Sequence, residues 1–87
     1  MWAVTLPSRV EKELFQADAD LQPLLEEALE ELQHNPRPAG CKKLKGPLNC
    51  WRVRVGSYRI LYDIHDGEHH VVVLKIGPRK DVYRFHR

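Results

Sequence analysis

The stretch Trp51–Ile64 leaves little freedom in how it can fold. Two runs that alternate apolar and polar residues, Trp51-Arg52-Val53-Arg54-Val55 and Tyr58-Arg59-Ile60-Leu61-Tyr62-Asp63-Ile64, are separated only by Gly56-Ser57. A two-residue link between antiparallel strands needs a primed turn, and glycine in the first central place fits type II′. That turn sets the register: Val55 opposite Tyr58, Arg54 opposite Arg59, Val53 opposite Ile60, and Trp51 opposite Tyr62. Directly opposed residues share a face. Trp51, Val53, Val55, Tyr58, Ile60, Tyr62 and Ile64 therefore form one apolar face, and Arg52, Arg54, Arg59 and Leu61 lie on the other.

The apolar face needs a cover, and the preceding residues supply one. Trp2–Leu6 reads as an opening strand stopped by Pro7. Ser8-Arg9-Val10-Glu11 has the form of a capping box, and Val10, Leu14 and Phe15 would be the buried stripe of a first helix. Asp20 is placed to cap a second helix with Pro23 in its first turn, and Leu21, Leu24, Leu25, Ala28, Leu29 and Leu32 recur at helical spacing. Glu26, Glu27, Glu30 and Glu31 fall on its solvated side, and Asn35-Pro36-Arg37-Pro38-Ala39-Gly40 ends it. After the hairpin, Asp66-Gly67 offers a second tight turn into Val71–Ile76, whose near-continuous apolar character marks a central strand; Gly77-Pro78 would break it. The expected fold is α+β: an N-terminal strand, then a two-helix hairpin packed on one face of a small antiparallel sheet. With 87 residues, 43% hydrophobic and 30% charged, residues 1–87 suffice for one small domain.

The net charge of +2 conceals a strong polarity. Residues 1–40 hold three Lys/Arg against eight Asp/Glu, whereas residues 41–87 hold eleven against four. The basic half coincides with the sheet, as expected of a polyanion-binding surface. Met1–Leu6 has no basic leader followed by a long apolar run, and no membrane span is present, so a cytoplasmic protein is expected. Cys41 and Cys50 lack metal-ligand or redox spacing, and adjacent strand histidines such as His69 and His70 would point to opposite faces. His34, His65 and His86 suggest no ligand set either, and neither a metal nor a cofactor is expected.

Arg54 facing Arg59 places like charges across a strand pair, which costs stability unless something compensates. Asp63 on the same face is one candidate; a phosphate, matched to the guanidinium fork, is the other. Arg52 projects nearby, and the tail could bring Arg79 and Tyr83 to the rim. Lys42, Lys43 and Lys45 precede the sheet, where they could reach ribosomal RNA or simply be solvated. Cleavage of RNA by its own 2′-hydroxyl needs a proton acceptor, positive charge on the phosphate and stabilisation of the leaving oxygen. Arginine stays protonated, so the acceptor would be Tyr83, a histidine or a carboxylate.

In order and spacing, Trp51–Tyr62 and Ile76-Gly77-Pro78-Arg79-Lys80-Asp81-Val82-Tyr83 resemble the RelE/ParE superfamily of toxin-antitoxin toxins. The elements that carry the likeness are Arg-x-Arg, Gly-x-Tyr-Arg and Gly-x-Arg-x-x-x-Tyr, and it spans essentially the whole chain. The resemblance implies a ribosome-dependent, metal-independent endoribonuclease that cuts mRNA and is neutralised by a cognate antitoxin. It implies RNA holding and assistance at the phosphate for Arg52 and Arg54, phosphate stabilisation for Arg59, charge near the leaving group for Arg79, and activation of the 2′-hydroxyl for Tyr83. Two departures stand out: arginines replace the lysines of well-known RelE members, and the Arg79–Tyr83 interval is shorter. His86 is thus an alternative proton acceptor. A ParE-like inhibitor of DNA gyrase and a non-catalytic RNA- or ribosome-binding module are the competing functions.

Overall fold

The computed structural model describes residues 1–45 and 49–78. In chain order its elements are β1 (Ala3–Thr5), α1 (Ser8–Gln16), α2 (Gln22–His34), β2 (Lys42–Lys43), β3 (Cys50–Val55), β4 (Tyr58–His65), a 3-10 turn at Asp66–Glu68, and β5 (His70–Pro78). The sheet runs β1-β5-β4-β3-β2. β2 to β5 pair antiparallel, as expected, while β1 joins parallel to β5 through Ala3↔His70, Val4↔Val71 and Thr5↔Val72.

The hairpin has the register its turn dictates, from Val55↔Tyr58 through Arg54↔Arg59 and Val53↔Ile60 to Trp51↔Tyr62. Gly56 has φ +58°, a left-handed conformation that glycine adopts without steric cost. A Cβ built there would lie 3.1 Å from Leu21 Cδ2, so the hairpin tip is tucked against the start of α2. The second turn is not a two-residue hairpin. Asp66–Glu68 form a 3-10 turn closed by His69 at φ 50°, so His69 belongs to the turn and only His70 to the strand.

At nine and thirteen residues, both helices are too short to persist alone and depend on their buried faces. Val10, Leu14 and Ala17 of α1 and its C-terminal boundary, with Leu25, Leu29 and Leu32 of α2, pack against Ile60, Tyr62, Ile64, Val71, Val73 and Ile76. Trp51, Val53, Val55 and Tyr58 pack against this core more shallowly. The stripe of α1 thus follows positions 10, 14 and 17, and Phe15, one residue further round the helix than Leu14, is 66% exposed rather than buried. Leu24 is likewise 49% exposed.

Neither expected cap forms. The Pro7 carbonyl accepts the Glu11 N–H, with no side-chain cap on α1. Leu21 occupies the capping place of α2, and the Asp18 carbonyl accepts the N–H groups of Leu21 and Gln22.

β5 does not break at Gly77-Pro78; Gly77 pairs with Arg59 and Pro78 with Tyr58. Between Leu61↔Lys75 and Tyr62↔Val73 the register shifts by one, leaving Leu74 as a bulge residue. β1 reaches only as far as Val72, and α1 takes over the rest of that edge. Arg9 donates to the Leu74 carbonyl, while the Glu13 carboxylate accepts the Ile76 N–H at 3.0 Å and the Lys75 ammonium at 2.6 Å. Among the described residues, helix side chains here take the place of a neighbouring strand.

Candidate nucleic-acid interface

The face of the sheet turned away from the helices carries the arginines. Arg54 and Arg59 face one another, Arg52 faces Lys42 on one side and Leu61 on the other, and Cys50 faces Asp63. Lys42 and Lys43 do not merely precede the sheet, since they form its edge strand. Alternation therefore divides them: Lys42 shares the outer face with Arg52, whereas Lys43, opposite Trp51, belongs to the helix-side face. Lys45 follows this strand and is exposed. Arg79, Tyr83 and His86 lie outside the described residues.

Arg54 is exposed, but Arg59 is only 7% exposed and is the one charged residue in the buried set among those described. Its terminal nitrogen donates to the Tyr58 carbonyl at 3.2 Å. Its Nε is buried without a hydrogen-bond partner among the described residues. The internal candidate for a counter-charge does not serve: among the described residues Asp63 pairs with neither arginine, and its Oδ1 is itself buried and unpartnered. Burial pushes the Asp63 carboxyl above the ordinary carboxylate range, with an opposing contribution from His65. Beside these groups lies a small apolar patch of Cys50 and Leu61, flanked by Leu44 and Leu74. Burial, reinforced by Asp63, raises the Cys50 thiol to about 11 and keeps it protonated near neutrality.

Arg37 has a role that the linear pattern did not reveal. Its guanidinium grips Asp66 through two bonds of 3.0 and 2.9 Å and sits 4.9 Å above the Trp51 ring. Trp51 Nε1 donates to Asn49 Oδ1 at 2.6 Å, and Asn49 Nδ2 donates to the Ile64 carbonyl at 2.8 Å. The Arg37 hydrogen bond holds the Asp66 carboxyl below its usual range, and the same contact raises Arg37. At the residue before Arg37, the Pro36 carbonyl accepts from the buried Tyr62 hydroxyl at 2.7 Å; burial, then the neighbouring Cys41, pushes the Tyr62 pKa up. These contacts fasten the loop that leads into β2 and so help fix Lys42 beside Arg52. The two prolines flanking Arg37 signal a stiff loop, but nothing local names a partner 29 residues away.

Residues 7–83 match the family of ParE toxins of type II toxin-antitoxin systems, parDE. The chain is a toxin of the RelE/ParE superfamily. The RelE/ParE toxin described here is 30% identical over 84 residues to the RelE1 toxin of Methanocaldococcus jannaschii, covering 93% of each chain. Among solved structures it is similar to the RelE–RelB complex of Pyrococcus horikoshii, with a TM-score of 0.80 and 26% identity over 90% of this chain and 94% of that one. The isolated E. coli RelE toxin shares its fold at a TM-score of 0.77 and 24% identity, over 99% of this chain and 95% of that one. No helix of this RelE/ParE toxin is long and apolar enough, among the described residues, to cross a membrane. Cys41 and Cys50 are both free thiols.

Proposed function

We propose that residues 1–87 act in the cytoplasm as one domain, a ribosome-dependent endoribonuclease that cleaves mRNA and is neutralised by a cognate antitoxin. The observation that carries this reading is Arg59, a buried guanidinium with an unpartnered Nε, facing a second arginine across the hairpin. Two cations without an internal counter-charge among the described residues favour a ligand that supplies one, and the phosphodiester is the group this fork fits. The RelE–RelB complex of Pyrococcus horikoshii supports an antitoxin partner by analogy.

In the reaction, the 2′-hydroxyl oxygen attacks the adjacent phosphorus, the bond from phosphorus to the 5′-oxygen breaks, and charge accumulates on the non-bridging oxygens. Arg59 and Arg54 stabilise that charge. Arg79 supports the leaving oxygen, and Tyr83 or His86 takes the 2′-hydroxyl proton; these roles rest on the family resemblance of the tail. Lys42, Lys45 and Arg52 hold flanking phosphates, with Lys43 reaching round from the sheet edge. The test is to induce the toxin without antitoxin and map mRNA 5′ ends beside an Arg59→Ala variant. New cuts in wild type that vanish in the variant support the reading. Growth arrest without new cuts defeats it.

A second reading is favoured by the ParE family match, namely inhibition of DNA gyrase through protein contact. A supercoiling assay with purified gyrase separates the two, because the nuclease leaves supercoiling untouched.

A further inference from the structure

On the helix side of the sheet, beside the tip of the β3–β4 hairpin, lies a cavity of about 300 Å³ between α1 and the last residues of β5. Its lining includes Glu13, Gln16, Tyr58, Lys75, Gly77 and Pro78. Tyr58 and Pro78 pair across β4 and β5. In sequence each is followed by an arginine assigned above to the reacting phosphate, Arg59 and Arg79. The cavity therefore borders the phosphate site, although it opens on the other face of the sheet.

The far half of β5 separates the two, and it can be rounded. Gly77 stands opposite Arg59, so at that point the arginine face carries no side chain to block the way. Two residues earlier, Lys75 stands opposite Leu61 on the same face, yet its ammonium reaches Glu13 of α1 at 2.6 Å. A lysine side chain already makes the crossing that a nucleoside would have to make. The lining also suits a base. Half-buried Tyr58 offers an aromatic surface for stacking. Glu13 and Lys75 neutralise one another, which leaves no net charge to repel RNA. Gln16 is exposed, and its side-chain amide makes no hydrogen bond among the described residues. A glutamine amide pairs bidentately with adenine, accepting from N6 and donating to N7, whereas guanine offers two acceptors at the same edge.

We propose that this cavity receives an adenine of the bound RNA, from a nucleotide next to the phosphate held by Arg54 and Arg59. The ring stacks on Tyr58, and its N6 and N7 edge meets the Gln16 amide. Gln16 is then a specificity-determining residue. For its consequence, a preference for cuts beside adenine, the assignment rests on the cleavage reading; for binding it rests on the cavity alone.

The test titrates the toxin, residues 1–87, with 2′-O-methyl trinucleotides of A, C, G and U, which cannot be cleaved because the attacking hydroxyl is blocked. NMR follows the Gln16 side-chain amide and the Gly77 backbone amide. The A trimer should shift both signals and bind about tenfold more tightly than the G trimer. Gln16→Ala should remove that difference. Gln16→Glu should remove it too, since a carboxylate accepts from N6 but cannot donate to N7. An unchanged melting temperature confirms that each variant is folded. In cells without antitoxin, mapped 5′ ends should lie beside adenine in wild type and lose that bias in Gln16→Ala. Equal affinity for the four trimers, selectivity that survives Gln16→Ala, or shifts that spare Gln16 and Gly77 overturn the proposal. Cuts without an adenine bias also overturn it and leave the nuclease reading standing. Adenine-selective binding at Gln16 without any cuts does the reverse.

Discussion

Arg59→Met should make the toxin more stable and inactive at once. Methionine preserves most of the length and apolar stem of arginine while removing the charge. In the wild type the buried Nε–H has no partner, which costs about 1–3 kcal/mol, and the opposed Arg54 adds a repulsion of about 0.2–1 kcal/mol. Against this, the variant loses the bond to the Tyr58 carbonyl, worth about 1 kcal/mol. The balance is a gain of about 1–2 kcal/mol, or a melting temperature raised by about 5–10 °C for a domain of this size. Thermal and urea unfolding of the purified variant, paired with 5′-end mapping after induction, measure both halves of the prediction. Arg54→Met is the internal control: its side chain is exposed, so relieving the repulsion should move stability by less than about 1 kcal/mol. A melting temperature that falls by several degrees in Arg59→Met would refute the reasoning and make Arg59 a structural residue.

Three further outcomes are expected. Glu13→Ala should lose about 2–3 kcal/mol in urea unfolding, because the Lys75 ammonium and the Ile76 N–H lose their acceptor, whereas Glu13→Gln, which keeps an oxygen for Ile76, should lose less. Burial raises Asp63 in the folded state, so the native protein holds that proton longer than the unfolded chain; stability should fall as pH rises from the ordinary aspartate value through the raised one. Melting curves of Asp63→Asn across that window should lack this component. If RNA lies on the outer face, Lys42→Gln should reduce the salt dependence of RNA binding by about 0.7 in the slope of log K against log salt, and Lys43→Gln by less.

How much of this was legible beforehand depended on the range over which each residue acts. The Trp51–Ile64 hairpin was readable because a two-residue glycine turn admits one register, and alternation then assigned every side chain a face. The buried positions Leu25, Leu29 and Leu32 of α2 and Val10 and Leu14 of α1 are readable for the same local reason, but the edges of each stripe are not: Leu24 is exposed, and only packing chooses Ala17 over Phe15. Cap motifs failed where backbone carbonyls served instead. The Leu74 bulge, the Arg37–Asp66 grip and the parallel partner of β1 all join residues far apart in sequence, so no local pattern carries them. At the candidate site, the turn and alternation set Arg54 against Arg59, but the burial of one, the exposure of the other and the division of Lys42 from Lys43 depend on tertiary packing.

The parallel pairing of β1 with β5 bears on when the toxin can exist at all. Ala3 finds its neighbour in His70, so the first strand waits until residues 4–69 have been made before it has anything to join. Closing such a long loop is slow relative to forming the helices or the central hairpin. During synthesis the helices can form and the hairpin can zip, yet the sheet stays open at the β5 position until that strand is made. A chain truncated before His70 should therefore be a fragment without a closed core, and stability should rise abruptly once His70–Pro78 are made.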